Sequence, residues 1–208
     1  MCDHNHQHNG CCDHGDDMDQ ENSIAYSLYQ KIDTTNLECL NELVDGSGKK
    51  VFKPWSERLN SEDFVESDCD AELIFNISFT GDVKLKGIVV IADEELQKMR
   101  LFKSKMRMSF DDVNAESDQE FRVSHDPRGL IEYPVKPTKF FNMHHLTIHF
   151  VNKNKDDDSK PCRIYYIGLR GEFTQANRDG IVIANYEIRP TENVAAKLSE
   201  GVSSREIQ

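Results

Sequence analysis

The chain has 208 residues and a formal net charge of −12, with 25 Lys and Arg against 37 Asp and Glu. This length predicts one domain with tails, large enough to bury roughly 70% of the surface that its unfolded chain would expose. The excess of acids disfavours nucleic acid as a general partner, because binding a polyanion depends on Lys and Arg.

The six cysteines include no Cys-x-x-Cys pair, and three of them lie in the polar N-terminal segment. This pattern is not typical of a disulfide framework and favours a reducing compartment. The sequence also has no apolar run of about 18 residues and no secretion signal. We therefore expect a protein without a membrane segment, located in the cytoplasm and the nucleus. We also expect it to be a monomer.

The first segment, residues 1–22, is acidic and contains no Lys or Arg. We expect it to be disordered, because few apolar side chains are available to offset the entropy of ordering. Its composition is typical of metal binding by zinc, copper or nickel, although no zinc-finger spacing is present and no cofactor is required by the rest of the chain. A physiological metal site, adventitious binding and no binding all remain open. The candidate ligands are Cys2, His4, His6, His8, Cys11, Cys12 and His14.

From residue 24 onward, short apolar segments alternate with turn signals, which predicts an antiparallel β-sandwich. Residues 73, 75, 77 and 79 are apolar and share one face of a strand, so we expect a core face and a mostly wet face. A turn is predicted at Thr80–Gly81–Asp82, and another at Asp126–Pro127–Arg128–Gly129. The next strand is apolar on both faces over Ile88–Ile91, which predicts a central position.

We find no combination of residues in the sequence that is typical of a catalytic site. His145 and His149 share a strand face but stand roughly 13 Å apart at the rise of a strand, too far to hold one metal ion together. Asp68 and Asp70 lack the Gly and Glu offsets of a calcium loop. Cys39 and Cys69 have no base assigned by the sequence, and we expect each to be a small buried side chain.

Three groups of residues are candidates for partner binding. Lys53, Trp55 and Arg58 lie in one turn, and Trp and Arg are frequent interface anchors, although Trp55 could instead plug one end of the sandwich. Five cations without an intervening acid suggest a patch for an acidic protein surface, or else a solvated strand edge. Arg170 is a further candidate, or part of a surface charge pair with Glu172. The five cations are Lys98, Arg100, Lys103, Lys105 and Arg107.

Four ordered motifs carry a family resemblance: FKPWSERL at 52–59, MRLF at 99–102, HHLTIHFVNKN at 144–154 and YIGLRGEF at 166–173. Over roughly residues 24–186 the chain resembles the PITH domain, a proteasome-interacting module that follows a thioredoxin domain in some proteins and stands alone in others. The resemblance implies a jelly-roll sandwich, similar to galactose-binding-like domains, over residues 23–190. The polar composition of residues 191–208 predicts a flexible C-terminal tail, with a helix induced by a partner as the alternative.

The same resemblance implies a non-enzymatic adaptor or regulator that binds a regulatory-particle subunit of the 26S proteasome. The chain has the arrangement of the stand-alone proteins, so we carry over no redox activity. Two alternatives remain: a β-sandwich that binds sugar or calcium, for which fold analogy is the only support, and a metal-binding protein that uses its N-terminal His and Cys residues.

Overall fold

A computed structural model describes residues 14–103, 105–153 and 160–175, with side chains from Asp19 onward. The predicted antiparallel sandwich of jelly-roll type is confirmed, with few helices. Short 3-10 turns lie at Ser27–Lys31, Ser47–Lys49, Trp55–Glu57 and Asp112–Asn114. The helix and strands are α1 (His14–Ala25), β1 (Glu38–Leu40), β2 (Val65–Glu66), β3 (Glu72–Ala92), β4 (Leu96–Lys103), β5 (Gln119–Arg122), β6 (Glu132–Pro134), β7 (Met143–Asn152) and β8 (Arg163–Thr174).

Strand β3 is shared by both layers of the sandwich. Its first half pairs with β7 and β1, and its second half pairs with β8 and β6. One layer therefore has the order β1-β3-β7-β4-β5 and the other the order β6-β3-β8-β2. The predicted central position of this strand is confirmed.

The predicted turn at residues 80–82 is wrong, because β3 runs through it without interruption. The pairing of β3 with β7 is instead irregular between Ser78 and Val83, where the strand passes from one layer to the other. Gly81 marks a close approach: a Cβ atom there would lie 2.7 Å from the carbonyl oxygen of Thr174 and 2.8 Å from the ring of Phe173. The glycine thus lets two strands come together and does not reverse the chain.

The core lies between the two layers and follows the predicted alternation. In the first layer Leu73, Phe75 and Ile77 face inward, and Phe75 pairs in register with Ile148 of β7. In the second layer the buried positions shift from Leu85 to residues 88 and 90, because the pairing with β8 slips between Leu85 and Gly87. A bulge of this kind changes which face a side chain occupies.

The second face of β3, predicted to be mostly exposed to solvent, is buried in the first layer. Glu72 and Asn76 are both buried there. The segment that follows β4 folds over this face and forms a second apolar cluster with it, composed of Ile74, Phe102, Met108 and Val113. A third cluster covers the outer face of the second layer, composed of Tyr26, Trp55, Val89, Ile91 and Tyr166.

The N-terminal boundary also differs from the prediction, because α1 covers residues 14–25 and overlaps the segment expected to be disordered. The side chain of Asp19 in this helix accepts a hydrogen bond from Trp55 and pairs with Arg58. This attachment is polar, so the scarcity of apolar side chains in the segment gives no signal of it. Residues 1–13 and the proposed C-terminal tail at 191–208 lie outside the described residues. None of the helices in the described ranges is long and apolar enough to span a bilayer.

Candidate functional site

Trp55, the first predicted partner anchor, is buried on the outer face of the second layer. It is only 4% exposed. Its ring stacks on Tyr26 at 4.8 Å between centroids and meets the edge of Tyr166 at 6.3 Å. Its Nε1 donates a hydrogen bond to Asp19 at 3.0 Å. The structure therefore corrects the docking role of Trp55: it is the plug that fastens the N-terminal segment to the outer face of the second layer.

Lys53 is also buried, and its ammonium group closes the loop that follows it. Its Nζ donates to the carbonyl oxygens of Asn60 at 2.7 Å and Asp63 at 3.2 Å. Burial lowers the pKa of the Lys53 ammonium, and the charges of Asp63 and Glu57 oppose this shift. A buried ammonium bonded to main-chain oxygens is not available to a partner, so the role predicted for Lys53 is corrected as well.

Arg58 joins two neighbouring loops. Its guanidinium lies 4.3 Å over the Trp55 ring and forms an ion pair with Asp19 at 3.3 Å. It also donates to the carbonyl oxygens of Trp55 at 3.1 Å and Arg128 at 3.3 Å. Because these interactions are intramolecular and its side chain is largely covered, Arg58 acts as a clamp between the Trp55 turn and the loop around Arg128 rather than as a free anchor.

The clamped loops expose apolar side chains that the sequence argument did not single out. Leu59 is 58% exposed, Leu130 is 70% exposed, and Ile131 is also exposed. The second loop is rigid, because the buried carboxylate of Asp126 accepts hydrogen bonds from the backbone N–H groups of Arg128, Gly129 and Ile131. This is the predicted Asp126–Gly129 turn. We call Leu59, Leu130 and Ile131 the Leu59 surface.

A cleft of about 250 Å³ lies beside Leu59. Apolar atoms of Ile91, Ala92 and Pro127 line part of it, and Asp93 and Tyr165 contribute a hydrogen-bonded pair at 2.9 Å. Such a cleft can accept an apolar side chain of a partner while its polar rim stays hydrated.

The predicted basic patch divides into two parts. Arg100 donates to the carbonyl oxygens of Val113 and Ala115 and lies over the Phe102 ring, and Lys98 pairs with Glu120 at 3.2 Å. Arg100 therefore holds the chain's own segments, which corrects its predicted partner role, whereas Lys98 forms only a surface ion pair and its partner role stays a prediction.

Lys103 lies 4.4 Å over the ring of Phe141. The remaining cations, Lys105 and Arg107, are exposed on either side of Met106, which is 71% exposed. We call residues 105–107 the basic loop. It borders a cleft of about 340 Å³.

Arg170 lies in a network on the outer face of the second layer. Its guanidinium forms an ion pair with Glu132, which also accepts a hydrogen bond from the Tyr26 hydroxyl at 2.5 Å. Burial opposes ionisation of Glu132, but the hydrogen bonds from Arg170 and Tyr26 and the Arg170 charge outweigh it, so the pKa of Glu132 is lowered. Arg170 is thus engaged within the fold, while Glu172 pairs with Lys84 and Lys86 instead.

His145 and His149 form hydrogen bonds within the fold, and Cys39 and Cys69 differ in burial. His149 Nε2 lies 2.9 Å from Glu72 Oε2 in a buried pair, and His145 Nδ1 lies 3.1 Å from the Ser78 hydroxyl. Burial raises the pKa of the Cys39 thiol. Cys69 is exposed, so its predicted burial is wrong.

No group of three or more potential metal ligands forms within the described ranges. The predicted ligands Cys2 to Cys12 lie outside them, and the side chain of His14 is not described.

Sequence reasoning missed Leu59, Leu130 and Met106 for a simple reason. An apolar side chain next to a turn reads as a core residue unless the neighbouring loops are known. The only usable signal was the Asp-Pro-Arg-Gly turn just before Leu130, which places that side chain at a loop end.

These features describe a β-sandwich whose buried polar groups fix its loops and whose exposed loops carry apolar and basic side chains. The chain belongs to the PITH domain family, since the family model described as "PITH domain" matches residues 18–190. The resemblance read from the four motifs is therefore confirmed.

Proteins named PITH domain-containing protein 1 are similar to this chain. The one from Danio rerio is 51% identical over 170 residues, which is 80% of each chain, and the one from Homo sapiens is 45% identical over 191 residues, covering 88% of this chain and 89% of the relative. Among solved structures, the lectin domain of lectinolysin, complexed with Lewis B antigen, has a TM-score of 0.44 at 4% identity, covering 64% of this chain and 89% of that one.

Proposed function

We propose that this protein is a non-enzymatic interaction module that associates with the 26S proteasome through a regulatory-particle subunit and acts as an adaptor or regulator. Membership of the PITH domain family supports the choice of partner. The single observation that carries the docking mechanism is the Leu59 surface, where large apolar side chains stand exposed on two loops that are clamped together.

The rigidity of these loops matters for affinity. A partner that binds a flexible loop must first order it, which subtracts from the binding free energy, whereas a preformed surface avoids most of that cost. Arg58 links the Trp55 turn to the carbonyl oxygen of Arg128, and Asp126 fixes the backbone of the second loop. Large apolar side chains exposed on such preformed loops suit a protein interaction site.

The test is affinity purification of the full chain from cell lysate, with quantitative mass spectrometry of proteasome subunits. A Leu59→Ser/Leu130→Ser variant removes the two most exposed apolar side chains of the Leu59 surface without touching the core. The matched control is Leu43→Ser/Val44→Ser, which makes the same kind of change at two other exposed apolar residues. We expect regulatory-particle subunits with the parent chain and the control variant, and a loss of at least tenfold with the Leu59→Ser/Leu130→Ser variant.

Two results would contradict different parts of the proposal. If the parent chain does not enrich proteasome subunits, the proposed partner is wrong. If it does, but only the Leu43→Ser/Val44→Ser variant loses them, the docking surface lies beside Phe64 and not at Leu59. The Trp55→Ala variant is a poor test of docking, because it removes a buried aromatic plug and disturbs the fold itself.

The remaining expectations stand as proposals of the same kind. We propose a monomer in the cytoplasm and nucleus, to be checked by analytical ultracentrifugation and by imaging of the tagged protein. We also propose that the N-terminal His and Cys residues bind zinc, copper or nickel without being required for the fold. Calorimetric titration of a peptide of residues 2–15 against a His-to-Ala control peptide tests this, and equal affinities would reject it.

A further inference from the structure

The basic loop is attached to the sheet beneath it immediately after Arg107. The buried Asn76 side chain donates to the carbonyl oxygen of Met108 at 3.0 Å and accepts the N–H of the same residue at 3.1 Å. The hydroxyl of Thr147 donates to the same Asn76 oxygen at 3.0 Å. The side chain of Met108 is buried in the cluster of Ile74, Phe102 and Val113. One end of the basic loop is therefore fixed by both polar and apolar contacts.

The chain beyond Met108 is fixed as well. The carboxylate of Asp112 accepts the N–H of Ser109 at 2.9 Å and its hydroxyl at 2.8 Å. Arg100 holds the carbonyl oxygens of Val113 and Ala115 from the strand side. These hydrogen bonds hold the chain that follows the basic loop, residues 109–115, in place. The exposed side chains of the loop therefore extend from a well-defined backbone.

Arg107 has a φ of 54°, in the left-handed region that residues other than glycine rarely adopt. Such a conformation persists only where the surroundings enforce it, and it occurs often at binding sites. Here the Asn76 clamp on the next residue supplies the constraint. The strained backbone keeps Arg107 at the border of the cleft.

The lining of the cleft carries two cations, Lys105 and Arg107, and several hydrogen-bonding side chains. It measures about 340 Å³, and its lining includes no Asp or Glu. Within the described ranges, neither Lys105 nor Arg107 forms an ion pair. Asp112, near Lys105, already accepts the two Ser109 hydrogen bonds. Acids do lie behind this lining: Asn76 donates to the Glu38 carboxylate at 3.4 Å and Asn36 donates to Asp33 at 2.7 Å. A neighbouring cleft that shares Arg107 also contains Glu38 and Glu42. The lining of the cleft of about 340 Å³ comprises Asn36, Asn76, Ile77, Ser78, Lys105, Met106, Arg107 and His145.

We propose that this cleft binds an acidic peptide segment of a partner protein, with carboxylates on Lys105 and Arg107 and an apolar side chain on Met106. Charged hydrogen bonds from Lys and Arg suit carboxylates. Exposed Met and Arg together are typical of protein interfaces. Nucleic acid is a poor match, because two cations on a chain of net charge −12 cannot neutralise a run of phosphates.

This inference does not depend on the proteasome proposal, because it concerns a different surface and names only the chemistry of the ligand. The probe is a short fluorescein-labelled peptide of alternating Glu and Leu, compared with the same peptide carrying Gln for Glu. Fluorescence anisotropy of the full chain measures both dissociation constants. We expect binding of the Glu peptide that weakens with added salt, and at least fivefold weaker binding of the Gln peptide.

The test variant is Lys105→Gln/Arg107→Gln, and the control is Arg122→Gln/Lys136→Gln. Both remove two positive charges from exposed residues, so the net charge changes equally. The test variant should weaken the Glu peptide by about tenfold, while the control stays within twofold of the parent chain. Met106→Ala should weaken the Glu-Leu peptide but not a Glu-Gly peptide.

Three outcomes would overturn the proposal. The first is the absence of peptide binding by the parent chain. The second is equal loss in the two double variants, which would indicate non-specific attraction to positive charge. The third is displacement of the peptide by inorganic phosphate or acetate at low millimolar concentration, which would indicate a site for a small free anion. Circular dichroism of each variant confirms that the fold is retained before binding is compared.

Discussion

The clamp that Asn76 places on Met108 gives the sharpest prediction about stability. Asn76→Ala removes four hydrogen bonds, of which the one to Glu38 is long at 3.4 Å. Loss of the other three leaves the backbone groups of Met108 and the hydroxyl of Thr147 buried without those partners. At about 1 kcal/mol for each of these three buried hydrogen bonds, the loss is about 3 kcal/mol. Desolvation of the orphaned groups makes this a lower bound unless the segment 105–115 opens and lets water reach them.

Urea denaturation measures the change directly. Trp55 is the single tryptophan of the chain and is buried, so its fluorescence reports unfolding of the sandwich. The midpoint should fall while the dependence of the unfolding free energy on urea stays the same. The control is Asn114→Ala, an exposed asparagine whose side chain makes one long hydrogen bond of 3.4 Å, and we expect a change below about 0.5 kcal/mol.

Equal effects of the two Asn-to-Ala changes would refute the reasoning, because they would mean that the segment after β4 is not held by Asn76. A second measurement ties the clamp to the basic loop. Asn76→Ala should weaken the binding of the acidic peptide even though Lys105 and Arg107 are retained, since the loop would then have to be ordered on binding.

Three further predictions concern the outer face of the second layer and the loop beside it. Trp55→Ala should lower the free energy of unfolding by about 3–5 kcal/mol, seen as a lower melting temperature in circular dichroism, because it empties a buried aromatic site. Glu132→Gln should flatten the loss of stability at acid pH: the lowered pKa of Glu132 stabilises the fold above its ordinary value of 4.5, and this contribution disappears as pH falls through the lowered pKa; an unchanged pH profile of the melting temperature would contradict it. Lys53→Ala should speed limited proteolysis in the loop that its ammonium closes, with the exposed Lys50→Ala as control, and equal cleavage rates would argue against the closure.

The alternation of apolar residues was enough to predict the sandwich and its central strand. Phe75, Ile77 and Phe79 alternate with the polar Asn76 and Ser78, and burial on one face of a strand produces that period directly. The same rule failed on the opposite face, because the burial of Asn76 depends on a segment more than twenty-five residues later in the chain that folds over it. A local pattern carries no information about such a distant cover.

Gly81 shows a second limit of the sequence. Glycine between polar residues is typical of turns, but it also permits close approach of backbones, and the two uses look alike in sequence. Trp55 shows a third limit. The residue types that anchor interfaces are also those that fill aromatic plugs, and only the stacked Tyr26 and the hydrogen bond to Asp19 distinguish the two roles.

The length of β3 has a mechanical consequence. One strand of 21 residues pairs with neighbours in both layers, so loss of pairing in one layer disturbs a strand of the other. The unfolding of the two layers is therefore coupled. We expect the amide hydrogens on either side of Gly81 to exchange with solvent at similar, very slow rates, as one cooperative unit. A partner docked at one end of the sandwich would then stabilise both layers together.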